Sequence, residues 1–329
     1  MPWRALVLSA VTLGMAAAAA PPDPPFTLGV LRRDGLLLPF AAFNGKRWET
    51  PWPGSDLSVP LPISIDDVPR KWWGAVGPGA PWTAWILGEA TLTPRPLVVR
   101  KPEQTHVFCG GRLALATDYR GGAVDPREPT APKHGLAIAA APGTVTLEPI
   151  VEVSVLSADA RQIVETIRTE FDEQETRAAN HFTQWQHPYS DAERKQYPIQ
   201  LEAFYRAQEA NAHGTWHTSY VEAVRRFPAV DPADENCGLI TFVRGWVTQQ
   251  AGKKPVINIG ARVTYCDRDN VSFMLPFGRL AVGGEIYWVY QTSSWRDEFY
   301  SVARVRPDEV RPVVAVVGGS CPKGPFRRP

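Results

Sequence analysis

The chain has 329 residues, with 35 Lys plus Arg against 34 Asp plus Glu. That balance excludes the surface excess of positive charge needed to hold nucleic acid or an anionic membrane. The 32 prolines and 26 glycines demand many turns, and the length allows one large β domain or two of ordinary size.

The N-terminus reads Met1-Pro2-Trp3-Arg4, then an apolar run from Ala5 to Met15, then Ala16 to Ala20. A charged start, a short apolar stretch and small residues form the order of a secretory signal peptide over residues 1–20. Its loss takes away Arg4 and leaves 34 charges of each sign. The expected product is secreted or periplasmic, in a compartment where disulfides persist. No later segment offers the roughly 18 apolar residues of a membrane-spanning helix, so no membrane span is expected.

Residues 21–156 read as an N-terminal β region. Phe26 to Trp48 predicts a three-stranded meander turned at Asp34-Gly35 and Asn44-Gly45, the strongest short hairpin signals. Pro39 stands against a fully paired middle strand. Glu49 to Pro81 is rich in Pro, Gly and Trp without a clear period and reads as a long ordered loop. Strand-like runs return over Trp82 to Arg100 and Gln104 to Thr117, the second folded at Gly110-Gly111. Asp118 to Lys133 is polar and turn-rich, and His134 to Leu156 alternates as two further strands around Pro142-Gly143.

Residues 157–212 change period. From a Ser157 cap, Ile163, Val164, Ile167 and Phe171 recur at helical spacing, which predicts an amphipathic helix to about Arg177. Ser190 to Ala212 reads as a second helix interrupted at Pro198. Together these form a helical connection to residues 213–329, a C-terminal antiparallel β region. Its strands are expected over Thr215 to Phe227, Val271 to Phe277, Arg279 to Val282, Glu285 to Thr292, Glu298 to Val305 and Val310 to Val317. The fold class expected is mainly β, with antiparallel meander sheets in a sandwich or barrel-like arrangement and a helical segment in the middle. A single propeller-like β domain is the alternative.

The segment from Cys237 to Cys266 predicts a hairpin about Gln250-Ala251-Gly252-Lys253. Pairing Ile240, Phe242 and Trp246 with Val263, Ala261 and Ile257 collects the apolar residues on one face. In that register Cys237 and Cys266 lie opposite each other, within the reach of a disulfide. Cys109 and Cys321 are then left as the second pair, and two buried free thiols are the competing reading of the first.

Chemistry-bearing residues are scattered. His213 and His217 have the i, i+4 spacing of helical metal ligands but lack the Glu after the first His, so no metal site is assigned. Asp267, Asp269 and Asn270 form an incomplete calcium loop that a turn explains. Among Asp66, Asp67, Glu222, Asp297 and Glu298, the pair to inspect for glycoside chemistry is Asp297 and Glu298, beside Trp295. No nucleophile elbow, Walker loop or dinucleotide fingerprint is present, and no cofactor is implied.

Tryptophan is the compositional anomaly: six of the 12 lie between Trp48 and Trp85. Trp72, Trp73, Trp82 and Trp85 are candidates to stack on a sugar ring or a Pro-rich peptide. The competing account, which the shortage of aliphatic residues favours, is that these indoles make a small core of their own. The functional expectation is an exported non-catalytic binding module for a polysaccharide or another exported protein. The alternative is an exported carbohydrate-active hydrolase using a carboxylate pair.

Overall fold

A computed structural model describes residues 23–53, 64–86, 94–104, 113–121, 133–141, 143–181, 187–229, 238–265, 268, 271–294 and 297–320. In chain order the strands β1 (Phe26–Arg32), β2 (Leu36–Phe43) and β3 (Trp48–Glu49) precede a 3-10 turn at Arg70–Trp73. They are followed by β4 (Trp82–Ile86), β5 (Pro94–Leu97), β6 (Val99–Gln104), β7 (Leu113–Thr117), β8 (Lys133–Ala139) and β9 (Val151–Glu152). Helices α1 (Ala158–Ala179) and α2 (Asp191–Arg194) come next. The chain ends in β10 (Gln200–Asn211), β11 (Gly214–Arg226), β12 (Leu239–Gln250), β13 (Val256–Tyr265), β14 (Ser272–Val282), β15 (Glu285–Ser294), β16 (Asp297–Val305) and β17 (Val310–Ser320).

These strands form three antiparallel sheets. The first runs β5-β4-β8-β1-β2-β7-β6 with β3 attached to β2, the second β13-β12-β11-β10-β9, and the third β14-β15-β16-β17. The fold is mainly β with one long helix in mid-chain, the main reading of the sequence. The third sheet is the middle layer. Along β15, Tyr287 and Val289 pack with Phe26, Leu28 and Phe40 of the first sheet, whereas Ile286, Trp288 and Tyr290 pack with Tyr205, Trp216 and Tyr220 of the second. A strand buried on both faces reads as a continuous apolar run, as Ile286 to Tyr290 does.

Two outer layers complete the stack. Trp52, Val68 and Trp73 cover the far face of the first sheet against Trp82, Ala84 and Ala137. On the far face of the second sheet, Ile167 and Phe171 of α1 pack with Val221, Val243, Val247 and Ile259. The helix begins where the sequence places it, with the Ser157 hydroxyl accepting from the Ala160 N–H at 3.1 Å.

Local chemistry explains the meander. Asp34 Oδ1 accepts from the Leu36 N–H at 3.1 Å, and Gly35 takes φ 86°, which a side chain disfavours. Pro39 is accommodated twice over. Register shifts beside it, Leu28 pairing with Ala41 and Gly29 with Pro39, so Phe40 is the extra residue of a bulge. The other edge of β2 pairs with β7 at Leu36 and Leu37 and with β3 at Ala42 and Phe43. Pro39 falls between these two partners, where its missing N–H costs no ladder bond.

Three expectations are corrected. The second helix is confined to Asp191–Arg194, and from Gln200 the chain is the strand β10. Glu, Ala and Gln favour helix locally, but Ala203, Tyr205 and Ala207 alternate into the core between the second and third sheets, and tertiary packing overrides propensity. Val271 to Phe277 and Arg279 to Val282 belong to one strand, β14, with a register shift between Pro276 and Gly278.

The third correction is the hairpin register. Ile240 faces Thr264, Phe242 faces Arg262 and Trp246 faces Asn258, one residue away from the pairing expected. Val243 and Val247 pack beneath α1 while Ile240 and Phe242 pack on Phe273 and Val271. With apolar side chains on both faces of β12, alternation no longer selects the partner set. Pro255 lies in the loop, because pairing ends at Thr248 and Val256, and Gly252 turns that loop at φ 73°. The register expected for Ile240, Phe242 and Trp246 is therefore not the one formed at those residues. Cys109, Cys237, Cys266 and Cys321 themselves lie outside the described residues, as does the N-terminal segment read as a signal peptide.

Candidate anion-binding cleft

The one-residue difference in register decides which side chains share a face. Three positions of β12, Phe242, Arg244 and Trp246, share a face with their partners Arg262, Gly260 and Asn258 on β13. This face looks toward the third sheet, but β13 is the edge of the second sheet, so Asn258, Gly260 and Arg262 stay exposed. Between them and the start of β14, at Val271 and Ser272, opens a cleft of roughly 360 Å³. Gly260 leaves its floor empty: a Cβ added there would meet nothing within 4 Å.

Arg244 is half-buried at the inner end. Its Nη1 donates to the Ser272 carbonyl at 3.2 Å. Directly across from it on β11 stands Glu222, fully buried, whose carboxylate accepts from the Met274 N–H at 2.7 Å. Glu222 thereby fastens β14 to the second sheet. Among the described residues, the lining of the cleft includes two arginines and no carboxylate. Among the described residues neither Arg244 nor Arg262 forms an ion pair.

Beside Arg244 the same face becomes aromatic. The Trp246 ring meets Tyr220 at 5.0 Å, Trp288 at 5.1 Å and Tyr290 at 5.7 Å, all edge to face. Burial first, and then the Glu222 charge, push the Tyr220 phenol far above its ordinary value, and burial likewise raises Tyr290. Both phenols remain protonated at any working pH. Arg262, Arg244 and Trp246 thus follow one another along a single face, with steps of about 7 Å between alternate residues of a strand. Chemically this is a guanidinium pair next to an indole and a free carboxamide, Asn258.

The residues singled out from sequence lie elsewhere. Trp73, Trp82 and Trp85 are buried at 2%, 5% and 5% exposure, and Trp72 alone of the four is half-buried, edge-on to Trp52 at 6.1 Å. They do not converge: Trp73 and Trp82 belong to the outer cap, Trp85 to the core between the first and third sheets. Glu298 is 3% exposed, with the Gln291 Nε2 donating to it at 3.3 Å and also to Ser293. The side chain of Asp297 is outside the described residues. Asp67 holds its own turn, accepting from the Ser64 N–H at 2.9 Å, and Asp66 stands exposed in that turn. His213 and His217 are both exposed, and among the described residues no group of His, Cys, Asp or Glu could hold a metal. Asp267, Asp269 and Asn270 lie outside the described residues.

Sequence reasoning passed over Arg244, yet a signal was present. An arginine inside the apolar run Phe242 to Val247 must be paired, or open to water or a ligand. Among the described residues no helix is long and apolar enough to cross a membrane. Compared with protein-family models, curated proteins and solved structures, the chain shows no match.

Proposed function

We propose that the protein is an exported, non-catalytic binding module that holds an acidic polysaccharide in the Arg244 cleft. The observation that carries this reading is the pair Arg244 and Arg262 on an open floor that no carboxylate lines among the described residues. A guanidinium matches a carboxylate in a two-point hydrogen-bonded fork, with a charge-assisted bond contributing about 1.5–3 kcal/mol. Asn258 extends the same row, offering an amide to a sugar bearing that carboxylate, and the half-buried Trp246 paired with it supplies an indole at the end of the row. Polysaccharide is favoured over an acidic peptide because the row combines aromatic and amide groups with only two charges. The N-terminal apolar run, with the order of a signal peptide, supports an exported location.

Titration with oligogalacturonate, a neutral oligosaccharide and an oligoglutamate peptide, followed by intrinsic tryptophan fluorescence, tests the reading. Saturable binding of the uronate alone, lost in Arg262→Glu without a change in melting temperature, is the expected result. Equal binding of the neutral sugar removes the arginines from the account, and preference for the peptide transfers the cleft to a protein partner. Release of reducing ends from any of these sugars would overturn the non-catalytic assignment.

A further inference from the structure

A second cationic cleft lies on the first sheet, far along the chain from the first. Roughly 540 Å³ in volume, it is bordered by the Asp34-Gly35 turn and Thr117 and by the side chains of Arg100, Lys101 and Arg120. Arg100 and Lys101 are consecutive residues of β6, an edge strand, and a regular strand sends consecutive side chains to opposite faces. Here the register shifts: Val99 pairs with Thr117 and Lys101 with Ala116, so Arg100 is the extra residue of a bulge. Bulges re-aim side chains and concentrate at sheet edges and beside active sites. This one turns two neighbouring cations to a single cleft.

The third cation is fixed from the opposite wall. Arg120 Nη1 donates to the Thr117 carbonyl at 3.2 Å and the Tyr119 carbonyl at 2.8 Å, leaving the rest of the guanidinium unengaged among the described residues. A Cβ at Gly35 would lie 2.5 Å from the Tyr119 oxygen and 3.2 Å from Arg120 Nη1, so glycine is what lets this wall close on the turn. Two carboxylates border the cleft, and one is already engaged. Asp34 accepts from Arg32 Nε at 3.1 Å and Nη2 at 2.7 Å and from the Leu36 N–H. Glu103 forms no ion pair among the described residues. Three cations against one free carboxylate leave a surplus of two positive charges.

We propose that this cleft binds a phosphoryl group, either free phosphate or a phosphate monoester. A monoester carries about two negative charges at neutral pH and offers three acceptor oxygens, which matches the surplus and the three separated donors. The neutrality of the whole chain makes such binding local. It is independent of the Arg244 cleft, which lies on a different sheet.

The full chain is titrated at low ionic strength with inorganic phosphate, glucose 6-phosphate and, as the reference, sodium chloride at matched ionic strength, with backbone amide NMR shifts as the readout. Expected are saturable shifts at Gly35, Lys101 and Thr117 with either phosphate. Tighter binding of the ester assigns the site to a phosphorylated ligand, and equal binding assigns it to the free ion. Arg100→Ala and Lys101→Ala, both exposed and without tertiary partners among the described residues, should each weaken binding about tenfold, the loss of one charge-assisted contact. Glu103→Gln should tighten it, which a structural role for Glu103 would not produce. Shifts equal to those from chloride, or unchanged in the Arg100→Ala, Lys101→Ala double variant, overturn the proposal.

Discussion

Two arginines on neighbouring strands of the second sheet, Arg225 of β11 and Arg244 of β12, meet opposite fates. Arg225 is 1% exposed and fully engaged. Its Nε donates to the Tyr197 carbonyl at 3.0 Å, Nη2 to Asp172 at 2.9 Å and Nη1 to Glu175, while the guanidinium stands 5.0 Å from the Phe171 ring centre. Two carboxylates of α1 and the segment after α2 are thereby bound to the sheet. Arg244 donates to the Ser272 carbonyl, hydrogen-bonds the Tyr220 phenol and otherwise faces a cleft. A buried arginine whose donors all meet protein acceptors belongs to the architecture, whereas a half-buried one facing a cavity without a carboxylate has donors left for a ligand.

That contrast breaks first at Arg225. Arg225→Ala leaves Glu175, a buried carboxyl that burial pushes up and Arg225 pulls down, with the more distant Arg194 at 3.6 Å as its remaining cation, and removing one partner of a buried pair costs about 3–5 kcal/mol. Urea unfolding should show it as a large fall in midpoint at constant slope. A loss below about 1 kcal/mol would mean that α1 is held by its apolar face alone. The tryptophans repeat the contrast. Trp73→Ala empties a closed site and should cost about 3–5 kcal/mol, and the half-exposed Trp72→Ala distinctly less. Equal costs would show that the two indoles share one role.

A pH prediction sharpens the engaged side. Burial and then the Arg194 charge push His187 down to about 4 from 6.5. A depressed histidine stabilises the fold at pH values above its unfolded pKa. That contribution is lost as pH falls from about 6.5 toward about 4, because the unfolded chain takes up the proton first. Allowing for partial solvent screening, the loss is on the order of 2 kcal/mol. Melting temperature measured across that window should decline in the parent and flatten in His187→Leu. The smallest effect is expected at Arg262, which is exposed and unpaired among the described residues: Arg262→Ala should shift stability by less than about 0.5 kcal/mol.

The fold was legible where one face of an element was polar and where turns carried their own chemistry. The meander at Asp34-Gly35 and Asn44-Gly45, the Ser157 cap and the amphipathic α1 are such cases, and the structure places each where the residues imply. Legibility failed where burial is two-sided. In β12 apolar residues point both to α1 and to the third sheet, so hydrophobicity could not distinguish adjacent registers, and the face holding Arg244, Gly260 and Arg262 went unread. In β10 helix-forming residues are held in a strand by packing at Ala203, Tyr205 and Ala207. The tryptophan cluster drew attention by composition, but composition does not report burial, and three of its four candidate rings lie inside.

The account rests on the open floor at Gly260, where a side chain would enter the cleft without meeting any atom within 4 Å. Calorimetric titration of oligogalacturonate into Gly260→Leu, with its melting temperature beside the parent's, tests it most directly. A variant as stable as the parent that has lost the saccharide is the predicted outcome. An equally stable variant that binds the saccharide as the parent does would show that the ligand sits elsewhere.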